Sequence, residues 1–265
     1  MNPKIDLTWA PFYSLLRKEL RRFYRVIGQT IFIPLINSTL YMMIFGVSLG
    51  NNITVEGHQS YLAFLIPGIV MMGVLNNAFQ NSSSSVGTSR FHGDLEDLRI
   101  VPLTPLQIDL ALMMGGLIRG CLVGFVTFTV GQVFYYLKYS EVLGISHPFY
   151  LFLVLVFGGL SFASLGVTVA FWAKNFDQLS AIGGFVLLPL MYLGGVFFPL
   201  TSLHPFWQNL SRLNPMIYFI NGVRFGILGK SDLPIEMSLL FSFLTFTVLF
   251  ALSIYIVKNG KYQRW

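Results

Sequence analysis

Long uncharged apolar stretches constrain this 265-residue chain more than any other feature of its sequence. Several of them reach about 20 residues, the length that an α-helix needs to cross ~30 Å of hydrocarbon. Only 11% of the residues are charged and 54% are hydrophobic, whereas a soluble domain carries roughly 25% charged residues to cover its surface. The pattern therefore predicts an all-α polytopic membrane protein built as a single domain, residues 1–265.

Six of these stretches are long enough to span the bilayer. Residues 199–228 are also apolar, but Asn214 and Pro215 divide them into pieces of about 13 residues, each reaching only ~20 Å. We expect a re-entrant pair of half-helices here, which requires protein or water around the backbone. The predicted transmembrane helices are residues 29–49, 61–79, 107–137, 149–173, 179–198 and 235–257.

Basic residues indicate the orientation of these spans. With both termini in the cytoplasm, the inner segments hold twelve of the 17 lysines and arginines, the outer segments hold four, and Arg119 lies within a span. This distribution satisfies the positive-inside rule, and it explains the basic pI without a nucleic-acid partner. The N-terminal region has no early apolar run of a cleavable signal, so the first span is expected to direct insertion.

Residues 10–25 are expected to form an amphipathic helix that lies on the membrane surface. Phe12, Leu16, Leu20 and Phe23 recur at helical spacing on one face, and basic side chains occupy the opposite face. Such a helix places its apolar side among acyl chains and its cations near lipid phosphates. A charged flank without a docking role is the alternative. The charged residues proposed for this interfacial helix are Arg17, Lys18, Glu19, Arg21 and Arg22.

The chemistry that the predicted spans lack disfavours several classes of function. No span contains a histidine, and Asp and Glu occur only at span ends or in loops, which argues against an intramembrane protease and an ion-driven carrier. Cys121 is the only cysteine, so a thiolate metal site is not expected. Gly229-Lys230-Ser231 imitates the end of a phosphate-binding loop, but Arg224 replaces the glycine that the motif needs. We expect no catalytic, cofactor or metal site on this chain.

The polar connection at residues 80–107 contains a serine run at 82–85 and the first candidate functional segment. Thr104, Pro105 and Gln107 have the pattern of an N-cap, a first-turn proline and a capping box, so the third span should begin there. Residues 90–99 are expected to form a short amphipathic helix, which either receives motion from a soluble partner or is a solvated loop helix with no partner. The candidate residues are Arg90, Asp94, Leu95, Glu96, Asp97, Leu98 and Arg99.

Two further features lie in the third span. Gly116, Gly120 and Gly124 have the i, i+4, i+8 spacing that lets another helix approach closely, within the chain or between subunits. Arg119 is a cation near mid-span, where it costs about 2.5–3.5 kcal/mol unless it has a partner. The candidate partners are Asn76, Asn77, Gln80, a loop carboxylate, a lipid phosphate and an anionic substrate group.

The re-entrant segment is the last candidate. Its aromatic residues are interpreted either as anchors at the outer interface or as a gate or stacking surface for sugars or lipid tails. The candidate residues are Pro199, Phe206, Trp207, Asn214, Pro215, Tyr218 and Arg224.

Together these residues resemble the membrane subunit of the type-2 ATP-binding-cassette (ABC-2) exporters, and the likeness covers essentially the whole chain. Residues 93–102 read Gly-Asp-Leu-Glu-Asp-Leu-Arg-Ile-Val-Pro, similar to the family's Gly-x-Leu-Glu-x-Leu…Pro cytoplasmic segment. Residues 192–199 read Tyr-Leu-Gly-Gly-Val-Phe-Phe-Pro, and with Leu213-Asn214-Pro215 and Arg224 they resemble the family signature. Within the family, the chain is most similar to small bacterial inner-membrane permeases.

The resemblance implies a homodimer of this chain bound to two ATPase subunits, which would hold the ATP and Mg²⁺. Residues 90–99 would be the coupling helix, and residues 10–25 would also touch the ATPase. The complex would export an amphipathic or lipid-linked solute such as a drug, a lipid, a glycolipid or a polysaccharide. A membrane scaffold or regulator that transports nothing is the alternative function, and an ion-coupled secondary transporter is a third.

Overall fold

The computed structural model describes residues 9–50, 60–260 and 262, and every regular element in this part of the chain is helical. Helix α1 covers Ala10–Arg25, and α2 covers Ile27–Tyr41 and continues as a π-helix over Met42–Leu49. The other α-helices are α3 (Tyr61–His92), α4 (Pro105–Tyr139), α5 (Pro148–Trp172), α6 (Phe176–Ala181), α7 (Leu188–Leu193), α8 (Pro205–Arg212), α9 (Pro215–Leu228) and α10 (Ile235–Asn259). A second π-helix, Ile182–Leu187, joins α6 to α7.

Six helical segments are long and apolar enough to cross a membrane. They are α2 with its π-helical extension, α3, α4, α5, the continuous α6–α7 segment Phe176–Leu193, and α10. Helix α9 is apolar but has only 14 residues, about 21 Å at ~1.5 Å per residue, which is short for a spanning helix. The described residues therefore confirm the predicted all-helical fold, with six helical segments that are long and apolar enough to span a membrane.

Helix α3 forms the centre of the bundle. Its most apolar window is 89% buried inside the protein, against 22% for α2 and 17% for both α6–α7 and α10. Gly116, Gly120 and Gly124 face α3, since a Cβ atom on Gly120 would lie 2.7 Å from the carbonyl oxygen of Val74. The glycine spacing therefore serves packing within the chain, one of the two alternatives that the sequence left open.

The predicted connection at residues 80–107 is corrected over its first half, because α3 continues to His92 and carries the serine run with it. Ser82 donates a hydrogen bond to the carbonyl of Leu112 in α4 at 3.2 Å. Ser83 and Ser84 donate to carbonyls of the preceding turn. These bonds satisfy the hydroxyl groups inside a helix, and α3 ends only at Gly93, whose φ of 89° is a left-handed C-cap.

The boundaries of the other spans agree with the prediction to within a turn, with one exception. Thr104 and Gln107 form the reciprocal capping box that starts α4, as predicted. The predicted fifth span continued to residue 198, but α7 ends at Leu193. The chain then turns through Gly195, whose φ is 81°, and this left-handed conformation is available to glycine at little cost.

The two ends of the bundle are distinct. At the α1 end, a hydrophobic cluster joins Leu15 of α1, Leu95, Ile108 of α4, Leu179 of α6 and Tyr262. At the opposite α8 end, Leu200, Ile217 and Tyr218 form a small cluster with Leu203 and Leu233. Leu15 and Tyr262 belong to one cluster, so both ends of the described chain lie on the same side of the bundle.

Candidate functional site

A buried carboxylate attaches α1 to the core. Glu19 is 2% exposed, and its Oε1 accepts a hydrogen bond of 2.8 Å from Ser85. Its Oε2 lies 3.2 Å from Nη2 of Arg22. Arg22 also donates to the backbone carbonyl and to Oδ1 of Asn81, at 2.9 and 3.1 Å, and to Ser84. Gly115 on α4 makes room, since its Cβ position lies 3.2 Å from Glu19 Cβ.

The basic face of α1 borders a groove of about 640 Å³ at the α1 end. Arg17, Lys18 and Arg21 are exposed there, whereas Glu19, which the sequence analysis placed in the same charged set, is buried in the protein. The groove is completed by Thr88 and Ser89 of α3 and by Asp94. The structure therefore places the charged face of α1 beside the first residues of the candidate coupling segment.

The candidate coupling segment consists of a turn and a single 3-10 helix, Glu96–Arg99. The helix is therefore shorter than the amphipathic helix that the sequence predicted over residues 90–99. Leu95 is 1% exposed, and it packs with Leu98 against the α1-end cluster. Asp94, Glu96 and Asp97 are exposed, and the side chain of Arg99 lies outside the described part of the structure. Two leucines thus hold this segment on the bundle while three carboxylates face outward.

Arg90 lies inside the protein rather than on this acidic surface. Its Nη1 donates to the carbonyl oxygens of Ala170, Phe171 and Ala173, at 3.1, 3.1 and 2.7 Å. These carbonyls belong to the C-terminal end of α5, where the last four carbonyls of a helix lack intrahelical partners. Arg90 therefore ties the end of α3 to the end of α5 and holds the candidate coupling segment in place.

Arg119 lines two neighbouring cavities between α2, α3, α4 and the α6–α7 segment. The two cavities share lining residues and are together called the basic cavity. Their volumes are about 270 and 560 Å³, and ligand sites commonly have about 300–1,000 Å³. Arg22 lines the larger cavity, nearer to α1. Both cavities are lined by Gln29, Asn76, Gln80, Arg119 and Leu188.

The Nε atom of Arg119 is buried and has no hydrogen-bond partner among the described residues. Arg119 is 14 residues beyond Pro105, which is roughly 21 Å along the helix axis. The candidate partners Asn76, Asn77 and Gln80 line a cavity with Arg119, but none of them is hydrogen-bonded to it in the structure. Neither cavity is lined by a carboxylate from the described residues. A cation at this depth, which costs about 2.5–3.5 kcal/mol without a partner, is left with an uncompensated charge.

At the α8 end, two short helices follow Pro199, which precedes the 3-10 turn Leu200–Ser202. Asn214 is the N-cap of α9, because its side chain accepts a hydrogen bond from the Met216 amide at 3.1 Å and donates to the Leu190 carbonyl at 2.6 Å. Pro215 occupies the first position of α9, where the missing N–H has no cost. This capping explains why residues 205–228 form two helices.

The aromatic residues of the candidate gate fall into two groups. Phe206 and Trp207 on α8 are 63% and 45% exposed, so they are available to lipid or to a ligand. Tyr218 on α9 is buried, stacks on Phe241 with ring centroids 4.4 Å apart, and donates to the Arg212 carbonyl at 2.8 Å. Tyr218 is therefore part of the packing that fixes α8 to α9 and α10.

Arg224 is buried in the same region, where its Nη atoms are paired and its Nε has no hydrogen-bond partner among the described residues. It is 2% exposed, and it pairs with Asp232 at 3.1 Å and with the Gly195 carbonyl at 2.9 Å. Its guanidinium carbon lies 3.8 Å from the centroid of the Phe64 ring. Arg224 thereby joins α9 to α3 and to the turn after α7.

Some polar positions were not singled out from the sequence. Asn81 and Asp109 are fully buried, and Asp109 accepts a 2.6 Å hydrogen bond from Ser253 of α10. The sequence could have indicated Asn81, because it lies one helical turn beyond Asn77, on the face that meets α1.

Among residues 9–50, 60–260 and 262, no group of three or more His, Cys, Asp or Glu residues is arranged to hold a metal ion.

Comparison with known proteins identifies a family match over most of the chain. Residues 11–228 match the family described as ABC-2 type transporter. That range includes α1, five of the six spanning helices, the candidate coupling segment and both short helices at the α8 end.

Individual relatives extend this match to nearly full length. The inner membrane transport permease YadH of Escherichia coli (strain K12) is 37% identical over 262 residues, which cover 98% of this chain and 97% of that protein. Nodulation protein J of Neorhizobium galegae is 28% identical over 224 residues, covering 84% of this chain and 82% of the relative.

Proposed function

The chain belongs to the ABC-2 type transporter family as a non-enzymatic, multi-pass permease of the bacterial inner membrane, and from this premise we propose the following function. It is the permease subunit of an ATP-driven exporter. Two copies form the path for an amphipathic or lipid-linked solute, such as a drug, a lipid, a glycolipid or a polysaccharide. Separate ATPase subunits bind ATP and Mg²⁺ and supply the energy.

The continuity of α3 is the observation that supports this function most. One helix runs from Tyr61, whose hydroxyl donates to the Phe197 carbonyl at the α8 end, to His92 beside the candidate coupling segment. Asn76 and Gln80 in its middle line the basic cavity. A displacement of the acidic surface at Asp94, Glu96 and Asp97 would therefore be transmitted by a single helix to the cavity and the far side.

The distribution of charge supports a cytoplasmic location for the α1 end and for both termini. Nine basic residues of the described chain belong to α1 or to the turns and helix ends on that side, against four at the α8 end. Lys4, Lys261 and Arg264, also predicted to be cytoplasmic, lie outside the described residues. The excess of basic residues at the α1 end agrees with the positive-inside rule if that end is cytoplasmic.

The positions of α1 and of α8–α9 in the membrane follow from that orientation. In our proposal α1 lies at the cytoplasmic interface, with Arg17, Lys18 and Arg21 near lipid phosphates and the ATPase. Helices α8 and α9 form an outer re-entrant hairpin, supported by the short length of both helices. Phe206 and Trp207 then form the gate surface, while Asn214, Tyr218 and Arg224 hold the hairpin in place.

The peripheral helices beside the basic cavity suggest where a second copy would lie. Helix α2 exposes Phe32 and Ile36, and the π-helix after α6 exposes Phe185. Ile33 of α2 and Gly184 of that π-helix line the basic cavity, so both elements combine an exposed apolar surface with a position beside the cavity. In the proposed homodimer, two copies face each other across α2 and α6–α7 and enclose one path between their cavities.

Gentle purification of the full chain from its native membranes tests this function. We expect a nucleotide-binding subunit to copurify, and we expect its ATP hydrolysis to depend on the permease. The control is an unrelated six-span inner-membrane protein purified in the same way. A chain that carries no ATPase in several mild detergents contradicts the exporter function and favours the scaffold. Transport by the chain alone under an ion gradient would identify a secondary transporter.

A further inference from the structure

We propose that Arg119 binds the phosphate group of the amphiphile that moves through the basic cavity. The proposal rests on the proposed function, and it adds a substrate class and a binding residue to it. The argument comes from the charge of Arg119, from the side chains around it and from the shape of its surroundings.

The two arginines of the basic cavity, Arg22 and Arg119, differ in whether their charge is already paired within the protein. Arg22 is paired with the carboxylate of Glu19, and its nitrogens also donate to Asn81 and Ser84. Arg119 has no ion pair and no hydrogen bond among the described residues, and its Nε is buried. Because the described lining of both cavities lacks Asp and Glu, an anion that enters meets Arg119 without an internal competitor.

The remaining lining combines amide groups with apolar side chains. Gln29, Asn37 and Asn76 offer neutral donors around Arg119, and further polar side chains of the smaller cavity include Gln80 and Thr127. The same cavity has an apolar wall that includes Ile33, Ile69 and Met72. A site that combines polar groups with an apolar wall suits an amphipathic molecule better than a free ion. The amides suit the oxygens of a headgroup, and the apolar wall suits an attached chain.

Guanidinium chemistry identifies the anion. Arginine presents a planar fork of donors that matches two oxygens of a phosphate, and this pairing is shorter and stronger than a neutral hydrogen bond. Lysine provides the charge without the fork. A phosphate group on a lipid or lipid-linked solute therefore supplies the countercharge that Arg119 lacks among the described residues.

Equilibrium binding to the purified full chain in a neutral maltoside detergent tests the proposal. Three probes are titrated by calorimetry: dioctanoyl phosphatidic acid, dioctanoylglycerol and inorganic phosphate. We expect saturable binding of the phosphatidic acid and much weaker binding of the other two. Arg119→Met should lower its affinity by about tenfold or more, since a hydrogen bond to a charged group is lost, and Arg119→Lys should retain part of it.

Two further variants separate binding from folding. Asn76→Asp keeps Arg119 and places a carboxylate in the same cavity, so it should weaken binding of phosphatidic acid about as much as Arg119→Met. Arg212→Met removes a cation from an exposed position at the α8 end, and it should leave the affinity unchanged.

The proposal is overturned if Arg119→Met and Asn76→Asp bind phosphatidic acid as tightly as the natural chain. It is also overturned if dioctanoylglycerol or inorganic phosphate binds equally well, because the headgroup or the attached chain would then be irrelevant. Failure here is distinct from failure of the proposed function. An ATPase that copurifies with a chain unable to bind the phosphate probe leaves the exporter function standing, whereas binding without any ATPase contradicts only that function.

Discussion

Arg22, Arg90, Arg119 and Arg224 all bring a guanidinium group into the packed part of the molecule, and they differ in what they meet there. Arg90 meets three backbone carbonyls, and Arg22 and Arg224 each meet a carboxylate together with further acceptors. Within the described residues, Arg119 meets neither a backbone carbonyl nor a carboxylate at hydrogen-bond distance. Three of these residues therefore hold helices together, and the fourth is available to a ligand.

Glu19→Gln tests whether the buried carboxylate attaches α1. Glutamine has nearly the same shape, but it leaves Arg22 without a countercharge and weakens the bond from Ser85. We expect a loss of about 1–3 kcal/mol in stability, toward the lower end because Arg22 is partly exposed. The measurement is thermal unfolding of the purified chain. Glu236→Gln, at an exposed acid on α10, is the matched control, and equal melting temperatures for the two variants would refute the role of Glu19.

The Arg224–Asp232 pair is best tested by a double-mutant cycle. Arg224→Met leaves Asp232 without its partner and removes the bond to the Gly195 carbonyl, so we expect a loss of about 3–5 kcal/mol. The double variant Arg224→Met/Asp232→Asn should lose less than the sum of the single changes, by about 0.5–3 kcal/mol. Denaturant unfolding in detergent gives these values, and strict additivity would show that the pair is not coupled.

At the scale of elements, the contact between α3 and α4 determines how rigid the connection through α3 can be. The glycines of α4 bring the two backbones together, and the meeting atoms are mainly backbone carbonyls and short side chains. Close-packed helices of this kind transmit a displacement instead of absorbing it, because a packed interior deforms little.

Gly120→Ala and Gly184→Ala should change stability in opposite directions. A Cβ on Gly120 meets the Val74 carbonyl oxygen at 2.7 Å, which cannot move without α3, so overpacking of about 1–3 kcal/mol is expected. A Cβ on Gly184 meets nothing within 4 Å, and alanine is favoured there by roughly 0.5–1 kcal/mol. Melting temperatures of both variants provide the measurement, and a neutral Gly120→Ala would show that the helices are not in close contact.

The length of α3 also shows where interpretation of the sequence fails. Mean hydropathy falls at Asn81 and the serine run, and this fall favoured a loop. The hydroxyl groups of Ser82, Ser83 and Ser84 instead donate to carbonyls of their own helix and of α4, so these serines remain helical and their hydroxyl groups are paired. The contrast with α4 is instructive, because its start was predicted correctly from a capping box that depends only on residues 104–107.

At the scale of the whole molecule, the predictable features are those set by local sequence and by the membrane. Six spans follow from the length and apolarity of the stretches, and the two helices after residue 204 follow from Asn214-Pro215. The burial of Glu19 and the capping of α5 by Arg90 depend on helices distant in sequence, and no local pattern indicates them. The candidate coupling acids were predicted as exposed charges, whereas the packing role of Arg90 became visible only in the fold.

Site-specific photo-crosslinking in intact cells is the most direct test of the central claim, which is that this permease binds an ATPase at its α1 end. The crosslinking residue p-benzoylphenylalanine replaces exposed Asp97 in one variant and exposed Glu141, beyond α4 on the opposite side, in the other. We predict that the Asp97 position captures a nucleotide-binding subunit and that the Glu141 position does not. Capture of that subunit from Glu141 alone, or from neither position, would contradict the orientation and the partnership proposed here.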